Sequence, residues 1–218
     1  VMAHLYIYAE ACYQYSFLYM TEKDVKSAYS LMDEALKYCP DNVKYLEFMA
    51  DICQMTSDKE VIERSADCYR RLVKINPKDR NVAQYHLQLA TLYAYQGNVK
   101  KSIREVGLYE KTEGSSLETL GYKASIYGTF DKIKDAIKCF DRYVKENPID
   151  CYQARMMELD FLRKAKKMDV YEQILDQMAG KWDKLNSSQR ATLAGLVAGT
   201  RQQNAFYSIM QNWADAQS

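Results

Sequence analysis

Three stretches of 19 residues share one pattern, and each places one of the chain's only three prolines at its seventeenth position. They read DVKSAYSLMDEALKYCPDN (24–42), VIERSADCYRRLVKINPKD (61–79) and KIKDAIKCFDRYVKENPID (132–150), with Pro40, Pro77 and Pro148. A small residue (Ala28, Ser65, Ala136) stands twelve places before the proline, and a large one (Met32, Tyr69, Phe140) follows it by four. Val25, Ala28, Met32, Ala35 and Leu36 recur at helical steps as one apolar stripe, as do Ile133, Ala136, Ile137, Phe140 and Val144. Proline cannot continue a helix, and its predecessor avoids the helical region. The pattern therefore predicts three amphipathic helices, each stopping just before its proline.

Ahead of each stretch runs a second apolar-periodic segment. The first holds Cys12, Tyr15, Ser16 and Tyr19; the second holds Leu46, Met49, Ala50 and Cys53; the third holds Leu120, Ala124 and Tyr127. A further run, His86, Leu89, Ala90 and Tyr93, is followed by QGN and a helix from Val99 to about Lys111. The unit is helix–turn–helix, and its spacing is 37 residues from Pro40 to Pro77, 37 from Pro77 to Gly114 and 34 from Gly114 to Pro148. This resembles the tetratricopeptide repeat, a helical hairpin of 34 residues. Cys12, Tyr15, Ser16, Tyr19, Ala28, Met32 and Ala35 match that family's alternation of large and small residues. So do Leu120, Ala124, Tyr127, Ala136, Phe140 and Tyr143, with Lys123 at a large position. The middle repeats fit with three residues inserted in each, around TSDKE and before Gln84.

The resemblance implies an all-α fold, a right-handed α–α superhelix (solenoid) of four to five hairpins. Repeats fall at about 9–42, 43–79, 80–116 and 117–150, with a degenerate fifth at 151–167, where Glu158 occupies a small position. One hairpin cannot bury its own apolar face, so neighbours must stack. Small residues such as Ser16, Ala50, Ala90 and Ala124 admit close approach of helices. Enlarging Ala136 to leucine is expected to cost about 1–3 kcal/mol through overpacking.

From about 168 the repeat grammar fades, and residues 168–218 are expected to hold a C-terminal helical hairpin. Asn186 with Gln189 can cap a helix running through Ala198, Gly199 suits its end, and a second helix would run from about Arg201 to Ala216. The order of Trp182, Leu185, Gln189, the run Leu193 to Asn204, Phe206, Met210 and Trp213 is similar to a segment of phage tail tape-measure proteins. A cap that shields the last repeat, a tape-measure-derived segment and a fusion are the origins left open, and the cap is the functional reading taken.

Charge and motifs narrow the function. With 27% charged residues interleaved and a net charge of +1, no surface reads as phosphate-tracking, so nucleic acid is not an expected partner. Six cysteines (Cys12, Cys39, Cys53, Cys68, Cys139, Cys151) form no CxxC, and with His4 and His86 alone no metal site is expected. They read as packed, reduced thiols, which leans towards the cytoplasm; a bacterial envelope location is the alternative if a leader was trimmed. No 18-residue apolar window predicts a membrane span, and the opening segment lacks the basic start of a signal peptide. No P-loop, GxGxxG, GxSxG or HExxH occurs, so neither catalysis nor a cofactor is expected. His86 is read as a packed histidine.

In the tetratricopeptide family, partners bind in a groove lined by the first helix of each hairpin. The resemblance places there Tyr13, Gln14 and Phe17; Glu47, Phe48 and Asp51; Gln84, Gln88, Thr91 and Tyr95; Tyr122 and Ser125; and, if the fifth unit is a repeat, Tyr152 and Arg155. The Lys, Asn and Arg clamp that holds a chaperone's C-terminal carboxylate is missing. The expectation is a non-catalytic scaffold that grips a protein or peptide. The alternatives are a phage tail structural protein and an accessory domain of a larger enzyme or regulator.

Overall fold

The computed structural model describes residues 2–56, 58–182, 184, 186–188, 190, 191, 208, 210 and 212. Among them are ten α-helices: α1 (Met2–Thr21), α2 (Val25–Tyr38), α3 (Val43–Gln54), α4 (Lys59–Ile75), α5 (Val82–Tyr95), α6 (Val99–Glu113), α7 (Leu117–Thr129), α8 (Ile133–Glu146), α9 (Cys151–Lys164) and α10 (Met168–Trp182). The helices α2, α4 and α8 each end two residues before their proline, as proline's missing N–H and fixed φ require. A 3₁₀ turn at Pro148–Asp150 leads into α9.

The chain divides into two compact units, residues 1–114 and 115–218. In the first, α1 to α6 pack in sequence, each helix against the next. Their buried residues join in one core that runs from Ala9 and Cys12 through Met32, Leu46, Met49 and Tyr69 to Leu89 and Tyr93. In the second, α7 packs on α8, α8 on α9 and α9 on α10, while α7 also meets α9. Leu120, Ala124, Phe140, Tyr143 and Ala154 form one cluster there, and Ile133, Leu159, Leu162, Ile174, Trp182 and Met210 form another.

The same turn closes four of the hairpins. The amide of Asp24 donates to the Tyr19 carbonyl at 2.9 Å, Asn98 to Tyr93 at 2.8 Å, Lys132 to Tyr127 at 2.8 Å and Lys167 to Leu162 at 2.9 Å. These bonds satisfy carbonyls that a helix end leaves orphaned, and they need one left-handed residue beside them. That residue is Gly97 (φ 76°) in one case but Lys23 (φ 63°), Asp131 (φ 52°) and Lys166 (φ 57°) in the others. The Cβ of each non-glycine residue costs roughly 1–2 kcal/mol there, a cost the closed hairpin offsets. Five helices begin on a side-chain cap: Asp24 accepts from the Ser27 amide at 3.1 Å, Asn42 from Tyr45 at 3.3 Å, Asp58 from Glu60 at 2.9 Å and Asn98 from Lys101 at 3.1 Å. Ser116 and Thr119 cap each other reciprocally.

Close helix approach occurs where small residues were expected. Ser16, Ala50, Ala90 and Ala124 are buried. Ser65 of α4 donates its hydroxyl to the Ala50 carbonyl at 3.1 Å, and Ser102 of α6 repeats the contact on the Ala90 carbonyl at 2.6 Å. All six cysteines are free thiols; burial pushes Cys53 up to about 12 and Cys68 up to about 11. The hairpin expected from Lys181 onward falls mainly outside the described residues. That includes Gln189, residues 192–207, which hold Gly199, and residues 209, 211 and 213–218. Among the described residues, no helix is long and apolar enough to cross a membrane, and no three His, Cys, Asp or Glu side chains gather as a metal site.

Candidate functional site

In the first unit, α1, α3 and α5 are the leading helices of successive hairpins, and their side chains link across one shared face. The Tyr45 hydroxyl of α3 donates to Glu10 of α1 at 2.7 Å, and the Tyr85 hydroxyl of α5 donates to Glu47 of α3. Tyr45 and Tyr85 hold corresponding places in their repeats, so one tyrosine–carboxylate link is used twice. Tyr45's hydrogen bond holds the Glu10 carboxyl below its ordinary range. Burial, together with Glu10, raises the Tyr45 phenol well above its ordinary range. Burial with Glu47 pushes Tyr85 up to about 12.

Above this frame lies an aromatic shelf. Tyr13 stacks on Tyr45 with centroids 5.3 Å apart, meets Phe48 edge-on at 5.4 Å, and Phe48 stacks on Phe17 at 5.6 Å. Offset and edge-on rings at such distances are favourable arrangements. Phe17 remains 55% exposed, while Tyr13 and Phe48 are half-buried. The Lys44 ammonium sits 5.1 Å from the Tyr13 ring centre, which shows that the shelf already receives one cation.

Glu47 and Asp51 stand one turn apart on α3 beside the shelf. Among the described residues, neither has a lysine or arginine within ion-pair distance. Partial burial, with the Glu47 charge adding to it, raises the Asp51 carboxyl above its ordinary range, although the Tyr69 hydroxyl lies 3.5 Å from it. Gln14, Gln84, Thr91 and Tyr95 are exposed on α1 and α5, and Gln88 is half-buried. Gln14 donates to Glu10 at 2.9 Å and Thr91 to the Leu87 carbonyl at 3.1 Å. His86 is turned away from solvent, its Nδ1 lying 2.7 Å from Glu105 of α6.

The second unit treats its expected groove residues differently. Ser125 is exposed and lines a cavity of about 340 Å³ with Gly121, Ala124, Phe140, Met157, Asp160, Phe161 and Lys164. Tyr122 is half-buried on α7. Tyr152 packs against the Ile133–Leu162 cluster, and burial raises its phenol. Arg155 is drawn inward: its guanidinium lies 2.8 Å from Asp141 of α8 and pairs with the fully buried Glu158. Burial pushes the Glu158 carboxyl up to about 7 in spite of Arg155. Its second oxygen, Oε1, is buried with no hydrogen-bond donor among the described residues.

Sequence reasoning missed Glu10, Lys44 and Tyr45 as builders of the shelf, and Gly121, Met157 and Phe161 as cavity walls. Glu10 and Lys44 could have been found, since both sit one helical turn from expected groove residues. The cavity could not, because it depends on how closely α9 approaches α7.

Comparison with known proteins agrees with this architecture. Residues 9–42 match the family model of the tetratricopeptide repeat. Among solved structures, the chain is similar to Naa15/Naa10 bound to HypK-THB, with TM-score 0.57 and 19% identity over 90% of this chain and 30% of that one. It is similar to the MamA protein, with TM-score 0.54 and 13% identity over 81% and 92% of the two chains. A tetratricopeptide repeat protein from Parabacteroides merdae gives TM-score 0.53 and 16% identity over 90% and 76%. The chain thus spans 30% of the length of the first of these. No curated protein sequence matches it. At such identities the likeness speaks to fold, and the fold is the all-α tetratricopeptide-repeat solenoid type.

Proposed function

We propose that this chain is a non-catalytic scaffold whose α1–α3–α5 face binds a peptide segment of a partner protein. One observation carries the reading: an aromatic shelf left open to solvent (Tyr13, Phe17, Phe48) beside two carboxylates, Glu47 and Asp51, that lack a cationic partner among the described residues. The fitting segment presents an apolar or aromatic side chain to the shelf and a lysine or arginine to the carboxylates. Aromatic anchors supply most of the affinity in such grooves, and the charge pair sets register. Gln14, Gln84, Gln88, Thr91 and Tyr95 supply adaptable rim contacts. In the second unit, Ser125 lines the cavity, whose size suits one apolar side chain of a ligand, and Tyr122 is half-buried on the same helix, while Tyr152 and Arg155 act mainly in packing.

The test is affinity capture with the intact chain and with Phe17→Ala/Phe48→Ala, followed by direct titration of any peptide recovered. The double variant is expected to lose at least tenfold in affinity, equivalent to about 1.4 kcal/mol. Glu47→Gln/Asp51→Asn should lose affinity chiefly for peptides carrying lysine or arginine, and the loss should shrink at high salt. Equal recovery of every partner by all three proteins would sink the proposal.

A further inference from the structure

Within the second unit, α7 and α9 run parallel, because Gly121 approaches Met157 and Gly128 approaches Phe161. Beside these contacts lies the cavity. Gly121, Ala124 and Ser125 recur at helical steps on its α7 wall, and Met157, Asp160, Phe161 and Lys164 do so on its α9 wall. The repeat register explains the space. Gly121 and Ser125 stand where α1 carries Tyr13 and Phe17, α3 carries Glu47 and Asp51, and α5 carries Leu87 and Thr91. Of these four helices, α7 has the smallest pair, so volume that the chain supplies elsewhere is missing here. What remains is about 340 Å³. A water's share of the liquid is about 30 Å³, so the space holds on the order of ten non-hydrogen atoms, enough for an aromatic side chain.

The walls divide into an aromatic inside and a charged rim. Phe140 of α8 is buried, and the Phe161 ring lies 6.0 Å from it with 46° between the ring planes. A third ring packs favourably on such a pair, face-on or edge-on. On the rim, Asp160 receives Arg163 on one oxygen at 2.7 Å and Lys164 on the other at 2.6 Å. One carboxylate thus serves two cations, which leaves an excess positive charge at the mouth. Lys166 and Lys167 are exposed in the turn that follows, and neither has a carboxylate within ion-pair distance among the described residues.

We propose that this cavity receives an aromatic side chain of a partner peptide that carries an acidic side chain beside it, the ring against Phe140 and Phe161 and the carboxylate on Lys164. The inference rests on the peptide-binding reading above and deepens it, with a different unit and the opposite ligand charge from the α1–α3–α5 face. Ser125 and Lys164 are exposed at the mouth, so a side chain can enter while its backbone stays outside. Drawing Lys164 to a ligand carboxylate costs little, because Asp160 keeps Arg163 and exposed ion pairs are weak. A basic residue in the same place would meet Arg163 and Lys164 and be repelled, which gives the site its selectivity.

The test is a titration of the full 218-residue chain, read on its methionine methyl signals by NMR, with Met157 assigned through Met157→Leu. The probes are the capped tetrapeptides Gly-Phe-Glu-Gly, Gly-Ala-Glu-Gly and Gly-Phe-Lys-Gly. The first is expected to shift the Met157 methyl saturably at millimolar concentration, as suits a single anchoring side chain. The alanine peptide should bind about tenfold more weakly. The lysine peptide should bind about threefold more weakly, a difference that shrinks with added salt. Ser125→Phe sets a ring of the chain's own at the mouth and should weaken binding about tenfold. Lys164→Glu should reverse the preference between the glutamate and lysine peptides while phenylalanine still outbinds alanine. Both positions are exposed, so circular dichroism should show unchanged helicity. Phe17→Ala/Phe48→Ala should leave every value unchanged, so the shelf and the cavity stand or fall separately. The proposal is overturned by a Met157 methyl that never shifts saturably, by equal binding of the phenylalanine and alanine peptides, or by binding indifferent to Ser125→Phe. A charge preference that survives Lys164→Glu overturns it too.

Discussion

In residues 1–114, polar groups tie helices together both within a hairpin and from one hairpin to the next. Ser65 and Ser102 reach carbonyls of the facing helix, and Tyr45 and Tyr85 reach carboxylates of the preceding repeat. In residues 115–218, Ala136 replaces the serine and Thr119 replaces the tyrosine. Helices there are held by close approach instead. A Cβ built on Gly128 would lie 2.9 Å from the Phe161 ring, and one on Gly121 would lie 3.0 Å from the end of Met157. The second unit also buries a charge group, Arg155 between Asp141 and Glu158. One repeat grammar thus tolerates two kinds of fastening. The polar links leave aromatic rings such as Phe17 on the surface, whereas the volume-based contacts consume their aromatic, Phe161, in packing.

The largest test of that contrast is Arg155→Ala. It leaves Glu158 buried without its cation, which costs about 3–5 kcal/mol. Hydrogen exchange should report lost protection in α8 and α9 while α1 to α6 keep theirs. Loss spread evenly over both units would erase the distinction. Gly128→Leu comes next, with an expected cost of about 1–3 kcal/mol from overpacking against Phe161. A lowered melting temperature, partly restored by adding Phe161→Ala, would confirm the close approach.

The third test concerns pH. The folded Glu158 carboxyl, pushed up to about 7, lies above its unfolded value of about 4.3. Between those values the folded state holds a proton that the unfolded state has released. Stability is thus highest below about pH 4.3, falls as pH rises towards 7 and levels off beyond. Glu158→Gln should flatten this component and make the protein more stable than the parent at pH 8. An unchanged pH profile would place the titration elsewhere. The smallest effect is Ser65→Ala, which removes one buried hydrogen bond for about 1 kcal/mol. Chemical denaturation should show it confined to the first unit.

Much of the fold was legible in the chain. Pro40, Pro77 and Pro148 mark helix ends wherever they sit, because the restriction is covalent and local. The caps Asp24, Asn42, Asn98 and Ser116 act within three residues of themselves, and Ala50 or Ala136 can be recognised by size and spacing. Gly97 announces a left-handed turn, whereas Lys23, Asp131 and Lys166 adopt it without any compositional signal. Glu158 was visible as a departure from the pattern, but its burial with Arg155 and Asp141 was not. A groove position assigned by register gave Arg155 and Phe17 the same standing, though one is folded into an ion pair and the other stays exposed.

What the amino-acid order determined alone is the helical hairpin and its repetition, since those follow from backbone sterics and from apolar residues recurring at helical steps. Tertiary structure decided which polar groups find one another: Tyr45 with Glu10, His86 with Glu105, Arg155 with Asp141. Those choices depend on distances between different helices, and a shift of an ångström or two separates a hydrogen bond from a solvated group. The physical reason is range: sterics and periodicity act between neighbours in sequence, while pairing and burial act only once the stack has formed.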